Sequence, residues 1–191
     1  MPDVTCFADR SDAVTPFTGM ADAVGGRRGW ETGGVTHQPL HISFVCTGNI
    51  CRSPMAALVF AEHVRRAGLA GRVRVSSAGT GDWHVGDGAD PRTVRVLVGG
   101  GYPGEHVAAV VGDEHLGADL LVAMDSGHAR ALRRLVPDPE RVVLMRDFDP
   151  GAGSDRDVPD PYYGGDDGFD EVLAMVEAAV PGLLAWVRER L

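Results

Sequence analysis

Cys46 and Arg52 stand with five residues between them, Thr47-Gly48-Asn49-Ile50-Cys51, and Ser53-Pro54 follows directly. That spacing suits a nucleophile held inside an anion cradle. Nearby positive charge lowers a cysteine pKa to about 3.5–7.5, so Cys46 is expected as the thiolate. A guanidinium forks two hydrogen bonds onto a pair of phosphate oxygens, which is the role the spacing offers Arg52. Gly48 and Asn49 tolerate left-handed backbone angles, and a nest of inward N–H groups requires such angles. Ser53 can donate its hydroxyl to the sulfur, and Pro54 suits the first turn of a helix. Cys-x5-Arg alone occurs by chance, so its surroundings decide what it means.

Those surroundings read as strand, loop and helix. His41-Ile42-Ser43-Phe44-Val45 is a short apolar run that predicts a buried strand, and Met55 to Ala67 has helical periodicity. The loop then lies at the carboxyl end of a strand, where open α/β sheets place ligands, and it feeds the positive end of a helix dipole. Further strands are predicted at Val73 to Ala78, Leu120 to Met124 and Arg141 to Met145, with helices at Ser126 to Leu135 and Asp170 to Arg190. Asp113 to Gly117 is expected as a helical turn. Pro181-Gly182 should kink or interrupt the last helix, and Trp186 is expected in the core. The alternation predicts an α/β fold, Rossmann-like: a four-stranded parallel sheet flanked by helices on both faces.

The string from Cys46 to Pro54 resembles the signature Cys-x-Gly-Asn-x-Cys-Arg-Ser-Pro of the low-molecular-weight protein tyrosine phosphatase family. Val75-Ser76-Ser77-Ala78-Gly79-Thr80, Ala123-Met124-Asp125 and Asp160-Pro161-Tyr162-Tyr163-Gly164 extend the resemblance from about His41 to the C-terminus. It implies the phosphotyrosine phosphatase I-like form of the fold. It tips Arg92 to Val98, β-branched enough to pass for a strand, toward a helix opened by Asp90-Pro91 and stopped by Gly99-Gly100-Gly101.

The implied reaction is hydrolysis of phosphotyrosine in proteins, without a cofactor, through a phosphocysteine on Cys46. Arg52 would clamp the phosphate, and Thr47, Gly48, Asn49, Ile50, Cys51 and Ser53 would line its loop. Asp160 would protonate the leaving oxygen and then act as base. Asp157 is a rival, but the family motif places the acid directly before Pro-Tyr-Tyr. A bound phosphate and a thiolate both favour a protonated carboxyl beside them, so an optimum on the acid side of neutral is expected.

Ser77 would support the loop through the Asn49 side chain. Trp83, in the loop from Gly79 to Gly88, would form one wall of the ring-binding cleft, with Tyr162 and Tyr163 opposite. His84 beside it either lines the rim of that cleft or is solvated, and the solvated state is the one expected. In related proteins the tyrosine pair can itself be phosphorylated, so the resemblance offers a tyrosine kinase acting on Tyr162 and Tyr163 as a partner. Asp125 either orients Arg52 or caps the next helix. Cys51 either packs or serves as a resolving thiol, trapping oxidised Cys46 as a reversible disulfide and making the enzyme redox-regulated. His106-Val107-Ala108-Ala109 has alanine where many relatives carry arginine after a similar histidine.

Bulk properties narrow the field further. With 191 residues the chain can hold one domain with a real core, and a monomer is expected. The net charge of −9 argues against a nucleic-acid partner. All 18 basic residues are arginine, which we read as genomic composition. No apolar run approaches the ~18 residues of a membrane span, and no basic segment leads into an apolar core as in a signal peptide. Three cysteines, two of them in one reactive loop, are no disulfide framework, so a cytoplasmic setting fits, with export without a signal peptide left open. The histidines lack metal-site spacing, so no metal is expected. Residues 1–40, rich in Gly, Asp, Thr and Ala, are expected to form a mostly disordered extension, with the phosphatase domain at 41–191.

Three other activities compete. Arsenate reductases of this fold need cysteines well downstream, and this chain has none after Cys51. Arginine phosphatases of this fold tend to carry threonine where Ile50 stands and lack the tyrosine pair. A phosphate-binding module without turnover would have no need for the set Cys46, Arg52 and Asp160.

Overall fold

A computed structural model describes residues 38–191. The expected extension, with Cys6 and Trp30, lies outside the described residues apart from Gln38, Pro39 and Leu40. Four parallel strands form one sheet: β1 (Leu40–Cys46), β2 (Val73–Gly79), β3 (Leu120–Ala123) and β4 (Val142–Leu144). They lie in the order β2-β1-β3-β4. The chain therefore leaves β1 toward one side of the sheet and returns on the other at β3. Between β1 and β3 is the switch point at which such sheets open a crevice for ligands.

Strands buried on both faces read as continuous apolar runs, because alternate side chains enter different cores. Ile42, Phe44 and Cys46 of β1 join Leu120, Val122 and Met124 in one cluster. Val45, Leu121 and Ala123 point the other way into a second. The first cluster is covered by α1 (Arg52–Arg66) and α5 (Asp167–Arg188), and the second by α4 (Ser126–Arg133). Met55, Val59 and Phe60 are the buried stripe of α1, at helical spacing. Among the described residues no helix is long and apolar enough to cross a membrane.

The segment that could pass for a strand is α2 (Pro91–Gly99). Its start is built as the sequence suggested: Asp90 accepts the Arg92 N–H at 2.8 Å, and Pro91 takes the first helical position. The predicted turn is α3 (Asp113–Leu116).

Two expectations for the last helix need correction. α5 runs unbroken through Pro181, because Val180 and Leu183 on either side of it are fully buried in the same core and hold one axis. Gly182 is no breaker either. It lets the helix approach the backbone of the Met145–Phe148 turn so closely that a Cβ would run into the Phe148 carbonyl. Trp186 sits half-buried at the edge of the core, with the Arg190 guanidinium 3.8 Å above its ring.

Candidate active site

Between the last residue of β1 and the first of α1, the backbone must reverse and aim its N–H groups inward. Asn49, at φ 55°, is the one non-glycine residue with positive φ among the described residues. Its side chain makes that conformation worth holding. Nδ2 donates to Ser53 Oγ at 2.8 Å and to Ser77 Oγ at 2.9 Å, and Oδ1 accepts the Ala109 N–H at 2.9 Å. The Asn49 carbonyl accepts a further bond, 2.7 Å, from His106 Nε2. Gly48 does not take up the left-handed angle expected of it. It serves close approach instead, since a Cβ there would meet His84 Cδ2 at 3.0 Å.

Cys46 is buried, and its sulfur accepts the Asn49 N–H at 3.3 Å. Ser53 Oγ lies 3.0 Å from that sulfur. Since Ser53 accepts from Asn49, its own hydrogen is left for the sulfur or for the Ala78 carbonyl at 3.4 Å. Cys51 is buried as well, and burial together with the Asp90 carboxylate pushes its thiol up to about 12.

Arg52 is only 4 % exposed, and a buried cation is tolerable only when paired. Its Nη1 donates to Asp125 Oδ2 at 2.9 Å and to the Val158 carbonyl at 3.2 Å. Its Nη2 donates to Asp160 Oδ2 at 2.8 Å and to Thr47 Oγ1 at 3.3 Å. Asp125 does both things the sequence left open, because its second oxygen caps α4 by accepting the His128 N–H at 2.8 Å. Burial by itself would raise this carboxyl. The His128 ring, the His128 N–H and the Arg52 charge outweigh it and hold Asp125 well below the usual carboxylate range.

His128 was not anticipated. Its Nε2 lies 2.8 Å from Thr47 Oγ1 and its Nδ1 lies 2.9 Å from Asp125 Oδ1. Thr47 and Asp125, both hydrogen-bonded to Arg52, thus each approach His128 as well. The signal available in the sequence was a histidine in the first turn of the helix that follows Asp125.

Asp160 arrives on a connection whose anchor is Val158, fully buried, with its N–H on the Met124 carbonyl at 2.7 Å. The rival carboxylate is occupied elsewhere: Asp157 accepts the N–H and hydroxyl of Ser126 at 2.8 and 3.1 Å. A solvent-open cleft has Cys46 and Arg52 at its base and Asp160 on its side. Ile50, Trp83, Tyr162 and Tyr163 form its walls. Trp83 is 64 % exposed and Tyr163 92 %, and the two tyrosine rings meet edge to face with centroids 5.0 Å apart. His84 lines the cleft too, half-buried, with Nδ1 3.0 Å from Asp87 Oδ2, so the expectation of a solvated side chain is corrected. Ser77 stays behind the loop and touches it through Asn49. Among the described residues no group of His, Cys, Asp and Glu is placed to hold a metal ion.

Comparison with known proteins agrees with this architecture. The low molecular weight protein-tyrosine phosphatase A of Mycobacterium tuberculosis is 58 % identical over 154 residues, covering 80 % of this chain and 94 % of that protein. The low molecular weight protein-tyrosine-phosphatase of Streptomyces coelicolor is also 58 % identical over 154 residues, covering 78 % and 94 %. Among solved structures, YfkJ from Bacillus subtilis matches with a TM-score of 0.75 at 31 % identity, over 81 % of this chain and 98 % of that one. The sequence model of the low molecular weight phosphotyrosine protein phosphatases matches residues 41–191. A parallel sheet with its loop at the switch point and a match through the whole of that region lead to one conclusion: this chain belongs to the low molecular weight phosphotyrosine protein phosphatase family.

Proposed function

We propose that this chain is a protein-tyrosine phosphatase that hydrolyses phosphotyrosine through a phosphocysteine on Cys46. The observation that carries the reading is the convergence of the Cys46 sulfur, the Arg52 guanidinium and the Asp160 carboxyl on one aromatic-walled cleft. Displacing an aryl alcohol from phosphorus needs an in-line nucleophile, charge stabilisation on the equatorial oxygens and a proton for the departing oxygen. Cys46 forms the sulfur–phosphorus bond as the bond from phosphorus to the tyrosine oxygen breaks. The loop amides and Arg52 stabilise the phosphoryl oxygens by preorganised electrostatics.

Asp160 protonates the tyrosine oxygen. Its ion pair with Arg52 Nη2 means that a phosphate reaching this nitrogen competes with the carboxylate for it. The exchange frees the Asp160 carboxyl from Arg52 and leaves it beside the tyrosine oxygen that it protonates. In the second step Asp160 takes a proton from water as that water attacks phosphorus, the sulfur leaves, and inorganic phosphate is released. The cleft between Trp83, Tyr162 and Tyr163 suits a flat ring on a long side chain.

Hydrolysis of 4-nitrophenyl phosphate without added metal tests the nucleophile: wild type turns over, and Cys46→Ser does not. Phosphotyrosine, phosphoserine and phosphoarginine peptides assayed side by side test the substrate. Faster release from phosphoarginine would favour the arginine phosphatase alternative.

A further inference from the structure

Arg92 has no part in the chemistry above, yet it joins the segment carrying Asp160 to the segment carrying Cys46. Its Nε and Nη2 fork onto the two oxygens of Asp90 at 3.0 and 2.9 Å. Asp90 is itself fixed to the phosphate loop, through its N–H on the Ile50 carbonyl at 2.8 Å. From the same nitrogen, Nη2, Arg92 reaches the Tyr162 carbonyl at 3.2 Å. The guanidinium lies 4.4 Å from the ring centroid of Phe169, at the start of α5, and 5.7 Å from that of Tyr162. The other end of Tyr162 faces the acid, since its N–H donates to Asp160 Oδ1 at 3.2 Å.

We propose that Arg92 is a positioning residue for general-acid catalysis, holding Tyr162 so that the Tyr162 N–H aims Asp160 across the phosphate loop. The inference rests on the reading of Asp160 as the acid. A side chain that forks onto a carboxylate, stacks on two rings and bonds a backbone carbonyl has little freedom left. Tyr162 is held at its carbonyl by Arg92, while its N–H holds Asp160. Without Arg92 the Asp160–Tyr162 strap keeps its Val158 anchor on one side and loses its tie to α2 at Tyr162, leaving the Arg95 contacts with Asp166 four residues further on. Cys46 and the phosphate loop keep their own support from Asn49, Ser53 and Ser77. The two halves of the site therefore separate in their response.

The test compares kcat/KM for phenyl phosphate, whose leaving group needs a proton, with that for 4-nitrophenyl phosphate, whose leaving group needs one far less. Arg92→Ala is expected to lose about tenfold with phenyl phosphate, a fraction of what a general acid supplies, and less than about threefold with the nitrophenyl ester. Arg92→Lys, which keeps the charge without the fork, should recover part of the loss. In an Asp160→Asn background the Arg92→Ala loss should vanish, because residues acting as one unit are not additive. Should Arg92→Ala fail to fold, Arg92→Gln keeps the stem against Phe169 and carries the same comparison. Equal loss on both esters, or full additivity with Asp160→Asn, would overturn the inference alone. An Asp160→Asn enzyme without leaving-group preference would overturn the acid assignment and this inference with it.

Discussion

Arg52 makes four polar contacts through its two terminal nitrogens, and two of them are to carboxylates. The Asp125 side chain is 25 % exposed and caps α4, whereas the Asp160 side chain is 43 % exposed and sits on a loop. Of the two partners, Asp160 is the one a phosphate can displace. Asp160→Asn should lower kcat/KM for tyrosine-like leaving groups by roughly 10²–10⁴ and barely affect activated ones. The same substitution removes the competing carboxylate, so inorganic phosphate should inhibit the variant at lower concentration than wild type. Weaker inhibition would show that Asp160 does not compete for the guanidinium. At Cys51, a thiol pushed up to about 12 by burial and by Asp90 is a neutral packing group near pH 7. Any disulfide with Cys46 would have to wait for removal of that proton, so its closure should quicken as pH rises.

The elements matter here through where they end. β1 and β3 are neighbours, so the loops after Cys46 and after Ala123 open on the same crevice, and Arg52 meets Asp125 there. α5 closes the sheet from one side, and its contact with the Met145–Phe148 turn depends on Gly182 having no side chain. Gly182→Ala should cost about 1–3 kcal/mol through overpacking, although alanine favours a helix by itself. Urea unfolding measures this directly. A variant as stable as wild type would mean that helix and turn separate freely at that point.

Over the whole molecule, titrating groups buried by the fold set the response to acid. Burial holds His41, His106 and His115 below the ordinary histidine value, and for His41 and His115 the Arg74 charge adds to it. An unfolded chain therefore takes up protons at these positions first, and stability falls as pH descends from about 6.5. Asp90, held down mainly by Arg92, and Asp125 behave as carboxylates depressed by folding. Their contribution is complete above the unfolded value of about 3.9 and is lost as pH drops below it. Thermal midpoints measured from about pH 8 to pH 3 should show a gradual decline and then a steeper one. A midpoint unchanged between about pH 8 and pH 5 would exclude the histidine part.

Much of this was legible from local pattern. A strand, a loop and a helix follow one another within a single stretch, so the contacts that Cys46, Asn49 and Ser53 make with one another join residues at most seven positions apart. The apolar runs of β1 and β3 announce strands buried on both faces for the same reason. Illegible were the contacts that join distant segments: His128 with Thr47 across 81 positions, Arg92 with Tyr162 across 70, and His106 with Asn49 across 57. Pro181 misled because a local rule for helix breaking carries no information about the core on both sides of it. The sequence by itself determined which residues meet within one loop and the family to which the chain belongs. Only the tertiary structure decided which carboxylates reach Arg52, from 73 and 108 positions away, because strand order and side-chain reach, unlike periodicity, are properties of the packed chain.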